Sequence, residues 1–318
     1  MPVKATNPFV FVVGCPRSGT TLLQRMLDHH PRLTVANDSH FIVRAIRKRL
    51  KTDPDPAMNQ AIVDEVIGYH RFHRMGLDRD EVEAAAEGAS SYSAFVSQLY
   101  NRRAALLGKP FSGEKTPDYC RYMPTLASLF PDARFIHIVR DGRNTALSTL
   151  KWAKPDKGPG RWPWWDSDAL ACCALWWTWQ TWQGIRDGRA LSPGRYHELR
   201  YEDLVERPAQ HLQAMSDFLG LEYSDEMANF HRGKTVDNPA LSAKSAWKPA
   251  TKGLRDWREQ MAPDDQAVFQ ALAGELLELL AYPATQQGAN TAVEARVVQA
   301  RSFWASARQS RDVADLIK

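Results

Sequence analysis

The stretch Gly14-Cys15-Pro16-Arg17-Ser18-Gly19-Thr20-Thr21 puts a permanent positive charge, several hydroxyls and a pair of glycines into one short loop. The spacing of Gly14 and Gly19 is that of a Walker A phosphate loop, but Thr20 stands where such a loop carries its lysine. Glycines let backbone amides approach an anion closely. A helix starting at Thr20 would add unpaired amides at the positive end of its dipole. Arg17 contributes a planar fork of donors suited to a tetrahedral oxyanion. The loop therefore points to a phosphate-bearing donor other than ATP or GTP. A plain strand-to-helix turn is the ordinary alternative, and it gives no reason for arginine, serine and threonine to occur together.

Further reactive side chains follow. Asp38 and His40 flank Ser39 ahead of Phe41, and an extended backbone would turn both to one side. An imidazole with an ordinary pKa of about 6.5 suits general-base work near neutrality. Lys115 precedes Thr116-Pro117 and reads as the end of a strand, not as part of a helix. Arg140 closes an apolar run, the place where ligands collect in open α/β sheets. Asp141 is placed to cap the next helix, and Ser148 lies about two turns along it, within reach of one arginine. His137, inside the same run, reads as structural. Eight of the eleven tryptophans fall between Trp152 and Trp182. Trp176 and Trp179 share a helical face and read as core. Trp162, Trp164 and Trp165 sit in a broken stretch, where they are candidates to stack on an acceptor.

Positioning these groups requires strands that end near one another. Strand-like runs at Phe9–Val13, Arg32–Ala36, Phe111–Lys115, Arg134–Arg140 and Arg195–Tyr201 alternate with helical patterns. This predicts an α/β fold of three layers, P-loop-type, with a central parallel sheet flanked by helices. Residues 41–110 read as a helical insertion covering the acceptor side. Residues 1–282 form the main domain, and residues 283–318 a linker and terminal helix.

At 318 residues and 44% hydrophobic, the chain can bury a large core. A net charge of +4 gives no reason to expect nucleic-acid binding. Cys15, Cys120, Cys172 and Cys173 match no metal-ligand or disulfide spacing. No run reaches the ~18 to 20 apolar residues of a membrane span, and the N-terminus lacks the pattern of a signal peptide. A cytoplasmic protein without a metal is the expectation.

Three further segments extend the loop into a set: Asp38-Ser39-His40-Phe41, Gly113-Glu114-Lys115-Thr116-Pro117-Asp118-Tyr119, and Phe135 to Arg143 with downstream Ser148. Together they resemble the superfamily of sulfotransferases that use 3′-phosphoadenosine 5′-phosphosulfate (PAPS), closest in character to its glycan and tyrosyl-protein branches. The resemblance implies that Arg17, Ser18, Gly19, Thr20 and Thr21 hold the 5′-phosphosulfate, and that Arg140 and Ser148 grip the 3′-phosphate. It implies that Tyr201 lies near the adenine, and that Lys248, Lys252 and Gly253 belong to a segment closing over the nucleotide. Thr251 departs from the arginine often found before that lysine–glycine pair. Lys115 corresponds to the lysine that assists at the sulfate or leaving oxygen. Asp38 stands where those branches carry a glutamate, making it the first choice for the base, with His40 second. The acceptor is a hydroxyl of a glycan, tyrosine, lipid or small metabolite. A P-loop kinase and a non-catalytic nucleotide-binding descendant are the competing functions.

Overall fold

The structure, a computed structural model, describes residues 6–232, 255–286, 288 and 290–309. The chain divides into two compact units. The first takes the described residues of Met1–Gly14, Gly19–Val139 and Gly184–Lys252; the second takes those of Cys15–Ser18, Arg140–Gln183 and Gly253–Lys318.

Among the described residues the first unit is built on five strands: β1 (Val10–Val13), β2 (Leu33–Asn37), β3 (Phe111–Lys115), β4 (Arg134–Val139) and β5 (Tyr196–Arg200). Their order across the sheet is β2-β3-β1-β4-β5, and every pairing is parallel. All four β1 side chains are fully buried, because layers cover both faces of a parallel sheet. Phe11 and Val13 belong to one core cluster, Val10 and Val12 to another. Burying each such side chain contributes about 1.5–3 kcal/mol. After β1, helix α1 (Thr20–Asp28) carries the chain outward to β2, past β3, whereas β3 feeds back across β1 to β4. The connections thus diverge between β1 and β3, a topological switch point where α/β folds bind ligands beyond the strand ends. Register places Lys115 beside Val12 on one side and Asn37 on the other.

Between β2 and β3 the chain forms a series of helices joined by loops. The helix Gln60–Gly68 is capped by Asn59, and Arg79–Glu87 by an Asp78–Glu81 capping box. The Ser91 hydroxyl accepts from the Ala94 amide at the start of Tyr92–Leu106. That helix buries Tyr92, Phe95, Val96, Leu99 and Tyr100 in the cluster containing Phe11 and Phe41.

In the second unit, the Asp141 carboxylate accepts the Arg143 amide at 2.9 Å and so caps the helix Gly142–Trp152. Arg143 is completely buried; it pairs with Asp141 at 2.7 Å and lies 3.7 Å from the Trp257 ring centroid. The helix Thr291–Gln309 packs on Pro263–Leu279, and Arg296 ties it to Asp168 and Asp265 at 2.7 and 2.9 Å. Trp162 is buried against Trp176, Phe303 and Trp304, and Trp164 stacks on Phe303. Packing within the chain encloses Trp162, whereas Trp164 is half-buried. Among the described residues no helix is long and apolar enough to cross a membrane.

Candidate active site

The first unit gathers reactive groups at the carboxyl edge of its sheet. Lys115, the last residue of β3, is fully buried, and its ammonium lies 2.9 Å from the Asp38 carboxylate. The same ammonium donates to the Thr21 hydroxyl at 3.2 Å. Asp38 follows β2 and Thr21 opens the helix that follows β1, so side chains from the ends of three neighbouring strands meet at the switch point. His40 Nε2 lies 3.9 Å from the Lys115-bound Asp38 oxygen, and Arg74 Nη1 lies 3.8 Å from the other one. Solvent reaches 19% of the Asp38 side chain and 22% of the His40 side chain, but none of Lys115. An incoming acceptor can therefore touch the carboxylate, while the cation stays enclosed.

The backbone here corrects the extended reading of Asp38–His40. Both residues adopt left-handed conformations, with φ of 57° and 56°. The two side chains meet through a tight turn and not through strand alternation. The cause is tertiary: the end of β3 captures the turn's amides, beginning with the Asp38 amide on the Lys115 carbonyl at 2.6 Å.

The charges follow from this arrangement. Burial pushes the Asp38 carboxyl upward, but Lys115, His40 and Arg74 together outweigh it and hold the group below its ordinary value. For Lys115, burial dominates; the ammonium's pKa falls despite the opposing pull of Asp38. Burial lowers His40 to about 4, against the pull of Asp38 and Asp118. It is a neutral imidazole at pH 7 and a much weaker base than the ordinary value assumed from sequence. His137 is fully buried, bonds the Tyr196 hydroxyl at 2.8 Å and is structural, as read from the sequence.

Within the second unit, Arg17 donates from Nε to the Ser148 hydroxyl at 3.1 Å, and Arg140 donates to the Arg17 carbonyl at 3.4 Å. Sequence reasoning coupled Ser148 to Arg140; the structure brings all three together, with Arg17 in contact with Ser148. The Ser18 hydroxyl is completely buried with no hydrogen-bond partner among the described residues, which suits an anion's oxygen.

In the first unit, α1 begins from Gly19 at φ 94° with no side-chain cap, so its first amides lack an internal acceptor. Thr20 is buried in that first turn. A Cβ on Gly19 would come within 2.3 Å of the Tyr201 ring, so Tyr201 packs directly over the helix start. Lys248, Lys252 and Gly253 lie outside the described residues. Arg74 and Glu114 were not singled out from sequence. Arg74 reaches Asp38 from the helical insertion with no motif to mark it, and Glu114 was visible only as a neighbour of Lys115. Among the described residues no cluster of three or more His, Cys, Asp or Glu side chains is placed to hold a metal.

A parallel α/β sheet with an uncapped glycine-led helix start and a lysine–carboxylate pair at its switch point defines a group transferase that binds an anionic donor. A model described as the Sulfotransferase family matches residues 8–225, and the chain belongs to that family. It is accordingly an enzyme of the PAPS-dependent superfamily, carrying a sulfuryl group to a hydroxyl acceptor on a P-loop-type fold. It is 27% identical over 236 residues to protein-tyrosine sulfotransferase 2 of Gallus gallus, covering 73% of this chain and 56% of that protein. It is 23% identical over 286 residues to protein-tyrosine sulfotransferase A of Caenorhabditis elegans, covering 86% of this chain and 67% of that protein. In fold it is similar to the sulfotransferase domain from the Synechococcus PCC 7002 olefin synthase, with a TM-score of 0.62 and 23% identity, covering 90% of this chain and 98% of the other.

Proposed function

We propose that this chain transfers the sulfuryl group of PAPS to a tyrosyl hydroxyl, with Asp38 as the base and Lys115 as the cation beside it. The observation that carries this reading is the Lys115 ammonium, which joins the Asp38 carboxylate at 2.9 Å to Thr21 at 3.2 Å. The protein-tyrosine sulfotransferases among the relatives support the tyrosyl acceptor.

PAPS supplies an activated sulfuryl group whose bond to the phosphate breaks as the acceptor oxygen bonds to sulfur. The remaining work falls on the chain. Arg17, Ser18, Gly19, Thr20 and Thr21 would hold the phosphosulfate, with Arg140 and Ser148 on the 3′-phosphate and Tyr201 by the adenine. Asp38, ionised at neutral pH, receives the hydroxyl proton at its carboxylate. Lys115 offsets negative charge gathering on the leaving oxygen, and because it is already desolvated its charge acts at close to full strength. Neutral His40 lies 3.9 Å from the carboxylate and is not assigned the proton transfer.

Labelled-sulfate transfer from PAPS to a tyrosyl peptide, its phenylalanine counterpart and an oligosaccharide tests the reading. Label on the tyrosyl peptide alone is expected. Label on the oligosaccharide alone would overturn the acceptor, and label on none of them would overturn the proposed transfer.

A further inference from the structure

The Asp38-Ser39-His40 turn holds a pair of left-handed residues, neither of them glycine. Side chains resist that conformation unless the surroundings fix it, and such positions gather at functional sites. Here the fixing is explicit. The amides of Asp38, Ser39 and His40 donate to the Lys115 carbonyl at 2.6 Å, the Glu114 carboxylate at 3.0 Å and the Thr116 hydroxyl at 3.3 Å. Three consecutive amides of the turn are thus taken by the three adjacent residues Glu114, Lys115 and Thr116. The Thr116 hydroxyl donates in turn to the same Glu114 oxygen, at 2.5 Å. The other Glu114 oxygen accepts the Tyr100 hydroxyl at 2.6 Å. On the carbonyl side, Arg74 donates to Asn37 and Asp38, each at 3.3 Å. Glu114 and Thr116 are completely buried.

A buried carboxylate is expensive, and mere filling of the space under the turn would be done better by an apolar side chain. What an apolar side chain cannot do is receive three donors at once. Loss of that acceptor would strand the Ser39 amide and release Thr116 from His40, and both left-handed residues could then relax.

We propose that Glu114 is a positioning residue for sulfuryl transfer: its carboxylate pins the Ser39 amide directly and the His40 amide through Thr116, and so aims the Asp38 carboxylate at the Lys115 ammonium. The proposal rests on Asp38 being the base. Glu114 itself meets no substrate; it acts through the turn.

The test uses Glu114→Gln, Glu114→Ala and the near-isosteric Thr116→Val, which removes one hydroxyl with little change of volume. Three quantities are read: kcat and KM for the tyrosyl peptide, affinity for adenosine 3′,5′-bisphosphate, and amide hydrogen exchange in residues 37–41. Glu114→Ala and Thr116→Val should lower kcat by about a hundredfold, as misplacement of a reacting group does. Nucleotide affinity should stay within about threefold, and exchange at Ser39 and His40 should quicken by about tenfold or more. Glu114→Gln keeps an acceptor for Ser39 and Thr116 and can donate to Tyr100, so it should remain within about fivefold of wild type in all three.

A folded Thr116→Val protein with wild-type kcat and wild-type exchange would overturn the proposal. So would Glu114→Gln if it proved as damaging as alanine, since charge and not acceptor geometry would then be at work. If the wild-type protein transferred no sulfate, the functional reading would fail, while exchange at the turn would still decide whether Glu114 pins it.

Discussion

Asp38→Asn probes the site most sharply, because it removes a charge and a proton acceptor with almost no change of shape. At 2.9 Å, with an effective dielectric of about 20, the Lys115–Asp38 attraction is worth about 6 kcal/mol before desolvation is counted. Asparagine takes away the carboxylate that the fully buried ammonium pairs with, and breaking such a pair costs about 3–5 kcal/mol. Asp38 keeps 19% solvent exposure, so the lower end, about 3 kcal/mol, is expected in urea or thermal unfolding. Loss of the base should lower kcat by about 10²–10⁴-fold, which is roughly 3–5 kcal/mol of barrier. Affinity for adenosine 3′,5′-bisphosphate should hold or rise, because a negative charge has been removed. Lys115→Met should do the reverse to the carboxylate: the burial that pushes Asp38 upward would go unopposed by its main cation. The acid limb of kcat, set by ionisation of Asp38, should then move to higher pH. In a double-mutant cycle the two substitutions should couple by about 2 kcal/mol, since either one alone already destroys the pair. An Asp38→Asn enzyme with kcat within about threefold of wild type, in a range where base catalysis predicts far more, would refute the assignment.

Other outcomes follow from the same coordinates. Ser148→Ala should weaken adenosine 3′,5′-bisphosphate binding by about 10–100-fold, the worth of one hydrogen bond to a charged group, and Arg17→Ala by more; calorimetry measures both. Gly19→Ala places a side chain at φ 94° and within 2.3 Å of the Tyr201 ring, so it should cost about 2–4 kcal/mol of stability in urea unfolding. His137, lowered to about 3 by burial, is neutral in the folded protein far below its unfolded pKa. The unfolded chain therefore binds the extra proton first, and stability should fall by about 1.4 kcal/mol per pH unit from this group as pH drops from about 6.5 toward 3. His137→Phe should flatten the dependence of the unfolding midpoint on pH in that window.

How much of this was legible in the sequence varied with the range of the interactions involved. Strand β1 could be read because a strand buried on both faces of a parallel sheet demands a continuous β-former run, and Val10–Val13 supplies one. The cap at Asp141 could be read because a carboxylate answers an amide two residues along the chain. The loop 14–21 carried its chemistry in its residue types. The Asp38–His40 turn could not be read, because left-handed residues there are imposed by Glu114 and Thr116, more than seventy residues downstream. Arg74 was invisible for the same reason: its partners Asn37 and Asp38 lie across the helical insertion. The ordinary pKa assumed for His40 failed because burial is a property of the fold and not of the residue. Trp162 looked available because the stretch around it is broken, but the chain's distant end covers it with Phe303 and Trp304.

In this reading a phosphate loop without its lysine serves a phosphosulfate donor. Calorimetric titration of the wild-type protein tests it most directly, with adenosine 3′,5′-bisphosphate in the presence of a chelator set against ATP with Mg²⁺. The account predicts metal-independent binding of the bisphosphate about a hundredfold tighter than that of ATP, a difference of about 2.7 kcal/mol. Tighter binding of ATP with Mg²⁺, or bisphosphate binding lost in the chelator, would contradict it.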